Sequence, residues 1–184
     1  MWATIVEECN FLTLFRRADK LFHGRCTAKQ EFPGAEPVPY TEYTFEVLEA
    51  VKGCRDAQEK PLKSVTFRHA GTRRGRALPD GTEAAPLRLG VSTYEVGDEV
   101  VLFLTRESRL GLCAPVGLYQ GKFHVAEKDG KKRLRNCLGN HKLFDGVDPS
   151  SFPDLRKGEL EAARSSGEDL ELSAFLDLCR KVEK

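Results

Sequence analysis

The chain has 184 residues, and its 29 Lys and Arg against 28 Asp and Glu leave a formal net charge of +1. This length suits one domain with its own core and a short appendage. Hydrophobic residues make up 40% and charged residues 31%, a balance that excludes a membrane-embedded protein and a disordered tail. Nonspecific nucleic-acid binding depends on a strong positive field, so the net charge gives it no global support.

The six cysteines are even in number, which favours an exported protein, but none of them form a C-x-x-C pair. They are Cys9, Cys26, Cys54, Cys113, Cys137 and Cys179. One or more disulfides and buried free thiols are equally weighted alternatives. The first residues lack the basic and apolar regions of a signal peptide. We therefore expect either a cytoplasmic protein or a mature exported chain, and the absence of an apolar run of about 18 residues predicts no membrane span.

The N-terminal part predicts a helix followed by a strand. Residues 4–20 place apolar side chains at helical spacing and predict an amphipathic helix. Residues 21–32 predict a strand, in which Gly24 indicates a bulge or a tight coil. Residues 33–39 contain three prolines and predict a loop.

Two alternating segments follow and predict an antiparallel pair with a long connection. In residues 40–53, Phe45 lies on the apolar face of a strand with its neighbours two positions away. In residues 62–70, Val65 and Phe67 share one face while polar residues take the other. Each segment thus predicts a strand with one buried face.

The middle of the chain predicts a long loop and then a buried strand. Residues 70–90 have no clean period, and long loops in compact domains are often functional. The apolar run 100–104 predicts a central strand. Residues 111–136 predict a meander whose hairpin turn is the Asp129-Gly130 pair.

The C-terminal part is polar and marginally helical from about residue 150, and residues 170–184 then predict an amphipathic helix with Ser173 as its N-cap. The apolar stripe of this helix consists of Leu172, Phe175, Leu176, Cys179 and Val182. Short strands with turn signals between two helices indicate a small antiparallel barrel or sandwich.

Four stretches together resemble the netrin-like family, which includes the tissue inhibitors of metalloproteinases and related bacterial exported domains. The stretches are RADKLFHGRCTA, YTEYTFEVLEAVKG, YEVGDEVVLFLTR and GLYQGKFHV, within residues 9–127. The family pattern falls on Ala18-Asp19, Gly24, Val51-Lys52-Gly53, Gly97-Asp98 and Phe103-Leu104. The resemblance implies an OB-like barrel with a helix packed at one end. The predicted fold class is therefore mainly β with flanking helices: a five- to six-stranded antiparallel OB-like barrel with N-terminal and C-terminal amphipathic helices.

The resemblance does not extend to the family's inhibitory mechanism. Metalloproteinase inhibitors of this family use a free N-terminal cysteine, whereas this chain begins Met1-Trp2 and its first cysteine is Cys9. The paired cysteines near the family's N-terminus are also absent. The chain looks most like the bacterial exported members, and metalloproteinase inhibition through an N-terminal cysteine is not expected.

No constellation in the sequence predicts catalysis or metal binding. The four histidines are scattered and no G-x-S-x-G motif occurs. His69 falls in phase with Val65 and Phe67, which indicates a partly buried residue of the barrel. Cys137 with His141 is the best local pair for zinc, but one pair is not a site. We predict no catalytic residue, no metal and no cofactor.

The candidate binding residues are basic and lie in two places. They are Arg73, Arg74 and Arg76 in the 70–90 loop, and Lys131, Lys132, Arg133 and Arg135 in the 128–135 hairpin. Guanidiniums near one loop can bind phosphate or carboxylate, although such residues are more often simply solvated. The hairpin charges have the alternative role of protecting an edge strand.

Aromatic residues on the strands raise a nucleic-acid alternative, because OB-like barrels stack single-stranded bases on such side chains. The candidates are Tyr43, Phe45, Phe67 and Phe123. Their phase places them in the interior, which disfavours this alternative.

The sequence as a whole predicts a barrel with an N-terminal helix over residues 1–145 and a C-terminal helical extension over 146–184. We expect a non-enzymatic protein-binding or structural module of the cell envelope or extracellular space, with a cytoplasmic location as the alternative. Its contacts would be the 70–90 loop and the 128–135 hairpin, and its partner another protein. The alternative functions are an OB-type binder of single-stranded nucleic acid and, less favoured, a protease inhibitor that uses loops.

Overall fold

A computed structural model of the chain describes residues 7–86, 93–148 and 169–183. These residues form a mainly β fold with flanking helices. In chain order the elements are α1 (Phe11–Arg17), β1 (Lys20–Phe32), β2 (Tyr40–Lys52), β3 (Ser64–Ala70), β4 (Glu99–Leu104), β5 (Lys122–Lys128), β6 (Lys131–Asn136), β7 (Leu170–Glu171) and α2 (Leu172–Glu183).

The N-terminal helix is shorter than the predicted 4–20. It begins after Asn10, whose side-chain Oδ1 accepts the backbone N–H of Thr13 at 2.9 Å and so caps the first turn. It ends at Ala18, where the backbone is already extended. The helix therefore starts where the Asn10 side chain caps it, and not where the helical spacing of apolar residues begins. Residues 4–6 of the predicted helix lie outside the described residues.

The strands form one antiparallel sheet in the order β3-β2-β1-β4-β5-β6-β7. β4 lies at the centre of this order, as its continuous apolar run predicts. Its alternate side chains enter two different cores: Leu102 packs on one face of the sheet, whereas Val101 and Phe103 pack on the other. Burial of both faces explains why this strand does not alternate with polar residues.

Of the expected fold class, the mainly β architecture with flanking helices is present, but the described strands do not close into the expected barrel. β3 and β7 stand at opposite ends of the sheet and do not pair with each other, so the sheet is not closed into a barrel. Two isolated bridges, Arg68 to Leu112 and Leu104 to Pro115, place residues 112–115 between β3 and β4. This short segment curls one half of the sheet without completing a strand ladder.

The curled half encloses an aromatic core. The ring of Tyr94 meets those of Tyr43, Phe45 and Phe67 edge-on at centroid distances of 4.8, 5.2 and 6.0 Å. On the opposite face, Phe175 of α2 packs against the rings of Phe11, Phe103 and Phe123. The sheet therefore separates an inner aromatic core from a core that both helices cover.

Several local predictions hold. The ladder between β1 and β2 shifts register between His23 and Gly24, which confirms the bulge. Asp129 and Gly130 both have positive φ and join β5 to β6 in a tight hairpin. Gly53 ends β2 with φ of +60°, where a Cβ would lie 2.0 Å from the carbonyl oxygen of Asp19. Only glycine fits this exit from the strand.

The C-terminal helix forms where its apolar stripe predicts, but its start differs. The helix begins at Leu172, and Ser173 lies inside its first turn, where the hydroxyl donates to Oε1 of Glu171 at 2.9 Å. The predicted N-cap at Ser173 is therefore wrong. The polar stretch from residue 150 falls largely on positions 149–168, outside the described residues.

All six cysteines are free thiols. Of the two alternatives that the cysteine count leaves open, the structure therefore shows the one without a disulfide. Four of the six are buried together with apolar neighbours. In the described parts of the chain, no helix is long and apolar enough to cross a bilayer.

Candidate functional site

The long loop after β3 is fixed at its base to strand β1. The carboxylate of Glu31 accepts the backbone N–H groups of Arg73 and Arg74 at 3.0 and 2.9 Å. The Arg73 guanidinium then pairs with Glu95 at 2.6 Å, and its second nitrogen donates to the hydroxyl of Thr93. The loop thus begins in a defined conformation.

The next part of the loop forms a small hairpin of its own. The N–H of Leu78 donates to the carbonyl of Thr82, and the N–H of Ala84 donates to the carbonyl of Arg76, both at 2.8 Å. Arg76 also pairs with Glu36 at 2.7 Å, across the base of the hairpin. We call residues 76–84 the loop hairpin. Its tip is exposed.

The three predicted loop arginines therefore have different surroundings. Arg73 and Arg76 hold the loop in place through ion pairs, so their charges are partly satisfied. Arg74 is exposed, and within the described residues its guanidinium has no hydrogen bond or ion pair. Of the three, Arg74 is the one whose side chain is available to a partner.

The predicted basic hairpin is paired with acidic residues. Lys131 pairs with Glu171 at 3.0 Å, and Arg135 pairs with Asp169 at 2.7 Å. Lys132 reaches Glu99 of β4 at 2.6 Å. Arg133 is half-buried and lies opposite Glu171 in the β6–β7 ladder. This hairpin is a structural contact to the C-terminal segment as much as an exposed surface.

The structure places the two predicted contact surfaces on different elements. The loop is anchored on Glu31 of β1, whereas the 128–135 hairpin is anchored on Glu99 and on residues 169–171. They therefore cannot be treated as one basic patch.

A cluster centred on Glu99 was not predicted. Its carboxylate accepts hydrogen bonds from His23 at 2.8 Å, Arg25 at 3.1 Å and Lys132 at 2.6 Å. Burial alone would raise the pKa of Glu99, but these three donors outweigh it and lower the pKa to about 2. The residues come from β1, β4 and β6, so no local sequence signal brings them together.

Buried ionisable side chains lie at one end of the inner aromatic core. Lys122 donates to the carbonyl of Thr93 at 2.6 Å, and its Nζ lies 4.3 Å from the centre of the Tyr94 ring. Burial lowers the pKa of Lys122. His69, only 3% exposed, lies in the interior as its strand phase indicates. Burial, with a smaller effect from Lys122, lowers the pKa of His69 to about 4.

Two polar atoms in this core have no hydrogen-bond partner among the described residues, Nε2 of His69 and the hydroxyl of Tyr94. Such atoms cost free energy when they are removed from water. His69, Lys122 and Tyr94 therefore do not form a nucleophile with an adjacent base.

A cleft of about 470 Å³ lies beside the N-terminal segment. It is lined by Glu8, Cys9, Asn10, Thr13, Gln120, Leu138, His141, Lys142 and Asp145. Gln120 clamps the segment here: its Oε1 accepts the N–H of Cys9 at 2.8 Å, and its Nε2 donates to the carbonyl of Glu7 at 2.9 Å. Within the described residues, no group of three or more His, Cys, Asp or Glu side chains could hold a metal ion.

The aromatic side chains weighed for base stacking are all buried. Tyr43, Phe45 and Phe67 belong to the inner core and Phe123 to the helix-covered core.

Comparison with protein-family models, with curated proteins and with solved structures finds no match. The netrin-like resemblance accordingly stays a prediction.

Proposed function

We propose that the protein is a non-enzymatic protein-binding module that contacts another protein through the exposed tip of the loop hairpin. The observation that carries this proposal is the anchoring of the loop. Glu31 holds its base, Glu36 and Glu95 hold its arginines, and its own backbone hydrogen bonds hold the tip.

A loop held in one conformation binds at a lower entropic cost than a flexible one, because less freedom is lost on association. The tip combines an apolar side chain, Leu78, with polar Asp80 and Thr82, whose side chains bond to each other at 2.6 Å. Arg74, at the base of the loop, adds guanidinium donors that have no partner in the described part of the chain and suit a carboxylate. The loop thus offers both an apolar side chain and hydrogen-bonding groups, and protein interfaces combine the two.

The 128–135 hairpin has a secondary part in this proposal. Three of its cations, Lys131, Lys132 and Arg135, are already paired with Glu171, Glu99 and Asp169. A polyanionic ligand would have to displace these carboxylates, and the aromatics that could stack bases are buried. Both observations count against single-stranded nucleic acid as the ligand.

The proposal keeps the resemblance to the netrin-like family. The bridges at residues 112–115 support an OB-like relation, because OB-like folds are partly open and the bridged segment connects β3 with β4. A location in the cell envelope or extracellular space rests on the resemblance. Quantifying the protein in envelope, secreted and cytoplasmic fractions tests the location separately from binding.

The binding proposal is tested by comparing two leucine variants in affinity capture. Leu78, at the loop tip, and Leu48, on β2, are 38% and 36% exposed, so Leu48→Asp is a matched control for Leu78→Asp. We expect proteins captured by the wild type to be retained by Leu48→Asp and lost with Leu78→Asp. Quantitative mass spectrometry gives the ratios, and binding of each captured protein is then measured in purified form.

Three results would count against the proposal. Purified partners that bind wild type and Leu78→Asp equally would exclude the loop tip as the contact. Salt-dependent anisotropy changes with single-stranded oligonucleotides at micromolar protein would favour the nucleic-acid alternative instead. A turnover assay whose rate depends on one His or Cys would contradict the absence of enzymatic activity.

A further inference from the structure

His23 of β1 lies between two carboxylates that belong to neighbouring strands. Its Nε2 is 2.8 Å from Oε1 of Glu99 on β4, and its Nδ1 is 3.8 Å from Oε1 of Glu49 on β2. The residue is only 4% exposed. Its Nδ1 is buried and has no hydrogen-bond partner among the described residues.

The partners of Nε2 determine which ring nitrogen carries the proton in the neutral state. The hydrogen bonds to Glu99 lower its pKa to about 2, so this carboxylate is ionised at neutral pH and can only accept. Nε2 must therefore donate to it. In the neutral imidazole Nδ1 is then a bare acceptor, and it faces the carboxylate of Glu49, which is also an acceptor.

We propose that His23 is a proton-binding site that couples the sheet to α2 when the pH falls. A second proton, taken from solvent, binds at Nδ1 and is donated to Glu49. Glu49 already pairs with Arg180 of α2. Proton binding thus joins β4, β1, β2 and α2 through a continuous Glu99–His23–Glu49–Arg180 chain, which lacks its central link at higher pH.

The charges around the ring are nearly balanced, so one more proton can be accommodated. Besides the two glutamates, the groups facing this region are Arg25 and Lys132, both bonded to Glu99, and Arg180, which also pairs with Asp177. Three cations thus meet three carboxylates. The Glu49 side chain is 41% exposed, which gives the proton a path from water.

Imidazole titrates roughly between pH 5 and 8, so the proposal is tested across that range. We expect ¹⁵N-resolved NMR of the His23 ring to show a bare Nδ1 at pH 8. At pH 5, Nδ1 should carry a proton that exchanges slowly with solvent and correlates with Glu49. A ring that keeps a bare Nδ1 at pH 5, or that carries its neutral-state proton on Nδ1, would overturn the proposal.

A double-mutant cycle gives the energetic counterpart. The variants are His23→Gln, Glu49→Gln and both together, and the measured quantity is the folding equilibrium constant from urea unfolding. We expect a coupling of about tenfold at pH 5 and little coupling at pH 8, since the hydrogen bond exists only in the protonated state.

A control cycle with Glu46→Gln separates a specific contact from general charge effects. Glu46 is an exposed glutamate on the same strand, opposite Arg25 rather than His23 in the β1–β2 ladder. Coupling of His23 to Glu46 at pH 5 as large as its coupling to Glu49 would contradict the proposal. So would equal His23–Glu49 coupling at the two pH values.

Discussion

Removal of the buried His69 imidazole should flatten part of the pH dependence of stability. His69 has a folded-state pKa of about 4, against an ordinary value of 6.5. Between these values the unfolded chain binds a proton at this residue and the folded protein does not. The contribution of the neutral His69 side chain to the free energy of unfolding is therefore fully present above about pH 6.5 and is lost progressively as the pH falls towards 4.

The gap between the two pKa values corresponds to about 3 kcal/mol, at roughly 1.4 kcal/mol per pH unit. We propose to measure the free energy of unfolding by urea titration at several pH values from 4 to 8, for the wild type and for His69→Leu. The difference between the two should change by about 3 kcal/mol across this range, since the contributions of other titrating groups cancel.

His141 is exposed and gives the control variant, His141→Leu. Its unfolding free energies should run parallel to those of the wild type. A constant difference in unfolding free energy between wild type and His69→Leu from pH 4 to 6.5 would show that His69 is not the source of the pH dependence. NMR titration of the His69 ring with a midpoint near its ordinary value would show the same.

Three further substitutions test the packing and the charge cluster, each by urea unfolding. Tyr94→Phe removes a buried hydroxyl that has no hydrogen-bond partner among the described residues, so stability should stay unchanged or rise by about 1 kcal/mol. A loss of stability above that size would show that the hydroxyl is hydrogen-bonded. Gly53→Ala should lower the free energy of unfolding by more than about 2 kcal/mol, because the new Cβ would lie 2.0 Å from a backbone oxygen. Gly81→Ala also has a positive φ but open space around it, so it should cost only about 1 kcal/mol. Equal costs for the two variants would contradict the close approach at Gly53. Glu99→Gln should cost about 3 kcal/mol at pH 7, because the gap between the folded-state pKa of about 2 and the ordinary 4.5 corresponds to that energy at roughly 1.4 kcal/mol per pH unit. That difference should persist down to about pH 4.5 and disappear as the pH falls through 2, since only the ionised carboxylate contributes. A difference independent of pH would exclude the charge as its origin.

The elements could be predicted from the sequence where one local signal dominates. The alternation around Phe45 and Phe67, the Asp129-Gly130 turn and the apolar stripe of α2 each correspond to an element in the structure. The start of α1 could not be placed from periodicity, because the cap at Asn10 depends on a side-chain contact. The open sheet could not be predicted either. It follows from the absence of pairing between the described end strands β3 and β7, which are distant in sequence.

The candidate site was predictable as a location but not as a set of contacts. Composition shows that the loop carries arginines. It does not show that Arg73 finds Glu95 and Arg76 finds Glu36, since these partners are distant in sequence. The cluster around Glu99 has the same origin, because Glu99 and its donors come from three strands. Charges that look like a basic patch in the sequence are, in the fold, largely paired.

The central claim, that the tip of the loop hairpin is the protein-binding surface, is tested most directly by site-specific photo-crosslinking. A photoreactive amino acid replaces Leu78 in one variant and Leu48 in another, two positions of nearly equal exposure. We predict that a captured partner becomes covalently attached at position 78 and not at position 48. Attachment at position 48 alone, or formation of the complex with no attachment at position 78, would contradict it.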